Sequence, residues 1–202
     1  MKKACLLLAV TALSACAVVP RTPDAYRYDF GPAVAGETTW RLPLASIEVQ
    51  SASWLATGAM HYRLSYAEPL RRQSYSESRW AAPPAELLES LLRRHHAAAG
   101  GNAAGAGCRL QLVLEELEQR FDSPQSSQLR IELQAVLLPA HGSDMLARRA
   151  VRLERPASSA DARGGADATR AAVLAVAEEI AAWTSDLARD RPMVVERCRK
   201  EP

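Results

Sequence analysis

The fold is decided by residues 108–117, which read CRLQLVLEEL. Leucine recurs at every second position over 110–114, the period of a strand with one buried face. Leu117 and Phe121 continue the apolar pattern in the opposite phase. One extra residue near positions 115–116 restores a common face, so we expect a β-bulge there within a long core strand.

Four further segments alternate apolar and polar residues and predict strands. They are residues 44–49, 60–66, 129–137 and 145–153. The last two are separated from each other and from the core strand by turn-rich residues at 122–124 and 141–144. Short polar connections of this kind favour an antiparallel meander.

Two segments predict helices. The first follows Pro83 and Pro84, because proline suits the first helical turn, and its leucines at 88, 91 and 92 fall on one face. The second spans about 166–187, and DARGG at 161–165 supplies a sharp turn before it. Its apolar stripe consists of Val173, Val176, Ile180, Trp183 and Leu187.

The element order β-β-α-β-β-β-α predicts an α+β fold, an antiparallel sheet covered on one face by two helices. We assign this domain to residues 41–188. The Ala/Gly-rich residues 97–107 predict a flexible loop, and residues 189–202 a C-terminal tail without order.

The N-terminus has the layout of a secretory signal. Lys2 and Lys3 precede an apolar run over 4–12, which is too short to span a bilayer of about 30 Å as a helix. Leu13, Ser14 and Ala15 then lead to Cys16. The layout resembles a bacterial lipoprotein signal peptide over 1–15, with Cys16 as the lipidated first residue of the mature chain. An ordinary secretory signal with a chance cysteine is the alternative.

A lipidated Cys16 makes residues 16–40 a tether between bilayer and domain. Diacylglycerol plus an N-acyl chain such as palmitate holds a protein more firmly than one chain does. Position 17 is Ala and not the Asp that retains many lipoproteins at the inner membrane. By resemblance to enterobacterial sorting, we expect the periplasmic face of the outer membrane.

The charge balance argues against nucleic acid as a partner. The full chain has 25 basic and 23 acidic residues, and removal of Lys2 and Lys3 leaves 23 of each. A nucleic-acid binder usually shows a strongly basic face, whereas acidic and basic residues are interspersed here.

Cys108 and Cys198 are the two thiols of the mature chain that remain once the signal peptide is removed and Cys16 is lipidated. The periplasm is oxidising, and a bridge would close a loop of about 90 residues, worth about 4 to 5 kcal/mol in the chain-entropy model. Spacing alone supplies no geometry, so a bridged and a reduced pair both stay open.

The sequence shows no catalytic motif, so we expect neither an enzyme nor a cofactor. His95 and His96 are adjacent and point about 100° apart on a helix, so they do not hold one metal ion together as i, i+4 histidines do. Glu116 and Glu118 share one face of a strand; acid/base work is one interpretation and a solvated outer face the other.

Taken together, several segments resemble the family of ABC-type transport auxiliary lipoproteins, the PqiC-like lipoproteins. They are Trp54-Leu55, residues 60–64 (MHYRL), 70–75 (LRRQSY), 78–88 (SRWAAPPAELL), 112–123 (LVLEELEQRFDS), 155–157 (RPA), 161–165 (DARGG) and Trp183.

The resemblance implies a non-enzymatic lipoprotein that works with an MCE-domain substrate-binding protein and an ABC permease and ATPase. Such systems move lipids or hydrophobic compounds across the envelope, and a homo-oligomeric ring is a family expectation. Exposed aromatic and arginine side chains are enriched at interface hot spots, so we take Tyr75, Arg79 and Trp80 as contacts for a partner or lipid. The alternative at Arg79 and Trp80 is a local packing clamp.

A competing hypothesis is a structural or assembly lipoprotein of an outer-membrane machine, with no transported cargo. The sequence does not distinguish cargo, direction of transport or oligomer number.

Overall fold

The computed structural model describes residues 24–32, 38–100 and 107–199. Within these ranges the chain forms seven strands and three helices. In chain order they are β1 (Tyr26–Tyr28), β2 (Leu44–Ser51), β3 (Ala59–Leu64), β4 (Arg72–Trp80), α1 (Pro84–Ala98), β5 (Cys108–Ser123), β6 (Ser126–Leu138), β7 (Ala147–Pro156), α2 (Ala162–Asp190) and α3 (Pro192–Arg199).

β5 is the central strand of the sheet. Along one edge it pairs with β6, and along the other it pairs with β2 over 108–114 and with β3 over 119–121. β2 and β3 therefore follow one another along the same edge of β5. The loop between them holds a short 3₁₀ turn, Ser53–Leu55.

The remaining strands complete the order β1-β4-β3-β5-β6-β7, with β2 beside β5. The predicted α+β class is confirmed. The sheet is mostly antiparallel, and three pairs are parallel: β1–β4, β2–β5 and β3–β5.

Two strands were missing from the prediction, β1 and β4. Between the pairs Ala59–Arg79 and His61–Ser74 the register of β3 and β4 shifts by several residues. Because β4 bulges there, its side chains lose the strict alternation by which a strand is recognised in sequence. β1 has only three residues and adds to the outer edge of β4.

The predicted bulge in β5 is confirmed, since the β5–β6 register shifts between Leu114 and Glu116. The inner face of the sheet carries the core leucines before the bulge, and after it Leu117, Gln119 and Phe121, all buried. The outer face carries Glu116, Glu118 and Arg120.

The helices cover the inner face, with α1 packed on β2 and α2 on β6 and β7. The leucines predicted to form the apolar face of α1 are fully buried. Every residue of the stripe predicted for α2, from Val173 to Leu187, is buried as well.

α2 begins at Ala162, four residues before its predicted start. Asp161 is its N-cap, and the carboxylate accepts a hydrogen bond of 2.8 Å from the backbone N–H of Gly164. A Cβ at Gly164 would overlap the backbone of Ser159, and one at Gly165 would overlap the side chain of Gln119 on β5. The DARGG segment therefore caps the helix and brings it close to the sheet.

The C-terminal residues predicted to lack order form α3 as far as Arg199. Val194 and Cys198 are its buried side chains. Cys198 forms a disulfide with Cys108, the first residue of β5, with 4.6 Å between the Cα atoms. A covalent bond therefore fixes the last helix to the central strand.

Candidate docking face on the outer side of the sheet

The structure removes Trp80 from the residues available to a partner. Its side chain is only 5% exposed, and its ring meets that of Phe30 edge to face with 5.3 Å between centroids. The prediction that Trp80 offers a contact surface is therefore wrong. The alternative interpretation, that Trp80 serves local packing, holds, but its ring packs against Phe30, whereas Arg79 is exposed.

Tyr75 is half-buried and belongs to a polar network inside the fold. Its hydroxyl donates to Oε1 of Gln119 at 2.9 Å, and the Gln119 amide donates to Oγ of Ser127 at 2.8 Å. Burial raises the pKa of the Tyr75 hydroxyl well above its ordinary value. Of the three predicted contacts, Arg79 is the one that stays exposed.

Three of the seven large hydrophobic side chains that are exposed among the described residues lie in the two loops that flank β3. Trp54 is 51% exposed, Tyr66 48% and Leu70 94%. We call Trp54, Tyr66 and Leu70, together with Arg72, the docking face. Sequence reasoning missed Trp54 and Leu70 because an apolar residue in a loop gives no periodicity from which to infer its burial. It included Tyr66 in the alternating strand predicted over 60–66, whereas β3 ends at Leu64.

Trp54 is held in place by two neighbours. The Arg72 guanidinium lies 5.8 Å from the centroid of its ring, within cation–π distance. A ring nitrogen of His61 lies 3.0 Å from the Trp54 carbonyl oxygen, at hydrogen-bond distance. The indole is thus an exposed side chain that contacts a cation, the kind of group that serves as an interface anchor.

Three arginines form a row across adjacent strands on the outer face. Arg72 of β4 pairs in register with Arg63 of β3, which pairs with Arg120 of β5. We call Arg72, Arg63 and Arg120 the arginine row. Like charges placed side by side repel, so the row requires carboxylates close by.

Glu116 and Glu118 supply those carboxylates. Arg72 donates two hydrogen bonds of 2.7 Å to Glu116, and this pairing raises the pKa of the guanidinium. Arg63 donates from Nε to both oxygens of Glu118 at 3.1 Å. Glu118 is only 4% exposed, so the expectation of a solvated carboxylate face does not hold for it.

The same pairings bear on the acid/base interpretation. Both glutamates accept charge-assisted hydrogen bonds from arginines. The geometry is that of structural ion pairs, which hold the charged side chains of the outer face in place.

His95 and His96 are buried between the helices and the segment that precedes β2. Nδ1 of His95 lies 3.1 Å from Nε1 of Trp40, and Nε2 lies 3.0 Å from Oε1 of Glu178. His96 packs against the Trp40 ring with 5.1 Å between centroids. Over the described ranges, no group of three metal-ligating side chains comes together.

Leu13, Ser14, Ala15 and Cys16 lie outside the described residues, so the lipidation site stays a prediction. Within the part of the chain that the structure covers, no helix is long and apolar enough to cross a bilayer.

The fold is similar to that of two crystal structures. A DUF330-family protein from Xanthomonas campestris gives a TM-score of 0.69 at 23% identity, over 84% of this chain and 99% of that one. An uncharacterized protein gives 0.61 at 16% identity, over 78% of this chain and 97% of that one. At these identities the similarity shows a shared fold. No curated protein matches the sequence.

A family model matches residues 48–181, from within β2 to within α2. The match includes the docking face, the arginine row and the DARGG segment. The model is described as the ABC-type transport auxiliary lipoprotein component. The chain therefore belongs to the family of ABC-type transport auxiliary lipoproteins.

Proposed function

We propose that this protein is a lipid-anchored auxiliary component of an MCE/ABC-type transport system that moves lipids or hydrophobic compounds across the envelope. The anchor is Cys16, on the periplasmic face of the outer membrane. The family is one of lipoproteins, which implies membrane association, and its description implies association with an ABC transport system. The order of residues 1–16 supports the anchor.

The observation that carries the proposal is the docking face. Trp54 exposes a large apolar surface beside the cation of Arg72, and Leu70 is exposed two residues before that arginine in the chain. Tryptophan and arginine dominate interface hot spots. The sequence carries no motif for ATP hydrolysis or another catalytic reaction. We therefore propose that the protein contributes to transport by binding a partner. We assign the docking face as the surface that binds the MCE-domain protein.

A homo-oligomeric ring is part of the proposal, and Arg79 at the exposed β1–β4 edge is a second contact candidate. The mass of the detergent-solubilised complex, measured by light scattering, distinguishes a ring from a monomer.

The test is a crosslinked pull-down of the lipidated protein from its own membranes, with bound proteins identified by mass spectrometry. We expect an MCE protein and the ABC components with the wild type, and a loss of all of them with Cys16→Ala. Trp54→Ala should weaken recovery at unchanged membrane content. Met145→Ala removes a similarly exposed side chain from the β6–β7 loop and is the matched control.

Recovery of a β-barrel or secretion channel without transport proteins would contradict the proposal and favour the assembly lipoprotein. Equal recovery with Trp54→Ala and Met145→Ala would remove the docking face from the argument.

A further inference from the structure

The third arginine of the row has no hydrogen-bonded partner within the described residues. Nε of Arg120 is buried and unpaired. Oε1 of Glu118 lies 4.0 Å from it, beyond hydrogen-bond distance. The side chain is 30% exposed, so the guanidinium remains open to the outer face.

The carboxylates that surround the row are already engaged. Glu118 is bound by Arg63 through two hydrogen bonds and lies 3.8 Å from Arg72, and Glu116 is bound by Arg72. Beyond the row, Glu132 is bound by Arg130 and lies 3.6 Å from Arg152. The row therefore sets three guanidinium groups against two glutamates, and one positive charge is left over.

The uncompensated charge lies in a recess. Around Arg120 its walls consist of Pro69, Arg63 and Arg130, and three glutamates, Glu116, Glu118 and Glu132, each of which is already bound by an arginine. The carbonyl oxygen of Pro69 accepts a hydrogen bond of 2.9 Å from Arg63. That bond holds the β3–β4 turn, with its exposed Leu70, against the row. Arg72 belongs to both the arginine row and the docking face, so the two surfaces adjoin.

We propose that Arg120 binds a carboxylate of a partner protein, an acidic side chain that completes the row. Arg72 and Arg63 each pair with a glutamate, so a third carboxylate repeats an arrangement that the sheet already uses twice. Trp54, which lies over Arg72, and exposed Leu70, which follows Pro69 of the recess in the chain, supply the apolar contact typical of a protein interface. The inference deepens the proposed function by giving the chemistry that the partner presents.

The experiment measures binding of a fluorescein-labelled hexaglutamate peptide to the full lipidated chain in neutral detergent, by fluorescence anisotropy. Arg120→Gln should weaken binding about tenfold, the effect of one lost charge-assisted hydrogen-bonded pair. Arg148→Gln is the matched control. Arg148 lies on β7, opposite Val136, and is exposed on the same outer face of the sheet as Arg120. Its affinity should equal that of the wild type.

Arg120→Lys keeps the charge without the two parallel donors, so its affinity should fall between the wild type and Arg120→Gln. It keeps the test valid if Arg120→Gln does not fold. An equal loss with Arg120→Gln and Arg148→Gln, or no binding by the wild type, would overturn the proposal.

A second arm repeats the anisotropy titration in the same neutral detergent with a fluorescently labelled phosphatidylglycerol in place of the peptide, because the acyl chains of the lipidated protein would carry every variant into vesicles. Arg120-dependent binding of this lipid without hexaglutamate binding would overturn the carboxylate proposal and assign the recess to a lipid phosphate. Neither arm needs the transport partner. A failed pull-down therefore contradicts the proposed function alone, and a failed peptide titration contradicts this inference alone.

Discussion

The indole N–H of Trp40 donates a hydrogen bond to Nδ1 of His95, with 3.1 Å between the nitrogens. Because an indole N–H only donates, Nδ1 is unprotonated and the ring proton is on Nε2, which donates to Glu178. Glu178 also accepts from the backbone N–H of Thr38 at 3.2 Å. His95, a residue of α1, thus joins the segment before β2 to α2.

Trp40→Phe should lower the free energy of unfolding by about 1 to 3 kcal/mol, because it leaves the buried Nδ1 of His95 without a donor. Urea unfolding measures the change. Trp54→Phe makes the same substitution at an exposed site and should change stability by less than about 0.5 kcal/mol. Equal effects at both positions would contradict the assigned tautomer.

Acid should destabilise the fold through His96. Burial, and next the neighbouring His95, lowers the pKa of His96 below 6.5, its ordinary value. The unfolded chain therefore binds the proton first, and stability falls as the pH drops from about 6.5 through the folded pKa. Unfolding at about pH 7.5 and about pH 5 measures this loss.

His96→Asn should reduce that pH dependence, whereas exposed His141→Asn should leave it unchanged. An identical pH profile for the wild type and His96→Asn would show that other groups are responsible.

Trp80→Ala and Trp54→Ala should affect the protein in opposite ways. Trp80 lies in the core against Phe30, so its truncation should cost about 3 to 5 kcal/mol. Trp54→Ala should leave the melting temperature nearly unchanged and weaken partner recovery. Thermal unfolding beside the pull-down tests both, and a stable Trp80→Ala protein would contradict its place in the core.

Cys198→Ser should cost about 4 kcal/mol, because the bond closes a loop of 90 residues in the unfolded chain. α3 is short and buries only Val194 besides the cysteine, so hydrogen exchange in 192–199 should rise. Reduction of the wild type should have the same effect. Met193→Ala, at a 78% exposed position on the same helix, is the control; unchanged exchange after reduction would show that packing alone holds α3.

Gly165→Ala should lower stability by about 1 to 3 kcal/mol, because the new methyl group overlaps the buried side chain of Gln119. Gln119 cannot move aside freely while it is bonded to Tyr75 and Ser127. Adding Gln119→Ala should recover part of the loss in a double-mutant cycle measured by urea unfolding. Additive costs would mean that the two positions do not touch.

Elements with a clear local period could be predicted from the sequence. Apolar residues recur every 2 residues in β5, β6 and β7 and about every 3.6 residues in the core of α2, because one face of each element is buried. The bulge in β5 could be predicted as well, since the apolar pattern changes phase there. β4 shows no such period in the sequence, since its register against β3 shifts within the strand.

The candidate site was less accessible to such reasoning. Trp80 is buried because it meets Phe30, and Trp54 is exposed because it sits in a loop over Arg72. Both relations depend on which strands lie side by side. The arginine row is a further case, because its members are neighbours only through the pairing of β3 with β4 and β5.

β1 gives the fold a mechanical property. We expect a force applied at the N-terminal end of the chain to act first on the three-residue pairing of β1 with β4. It then acts on the hydrogen bond between Trp40 and His95. We therefore expect the protein to yield stepwise under tension from its N-terminal side, with β2 to β7 still paired after β1 has separated from β4.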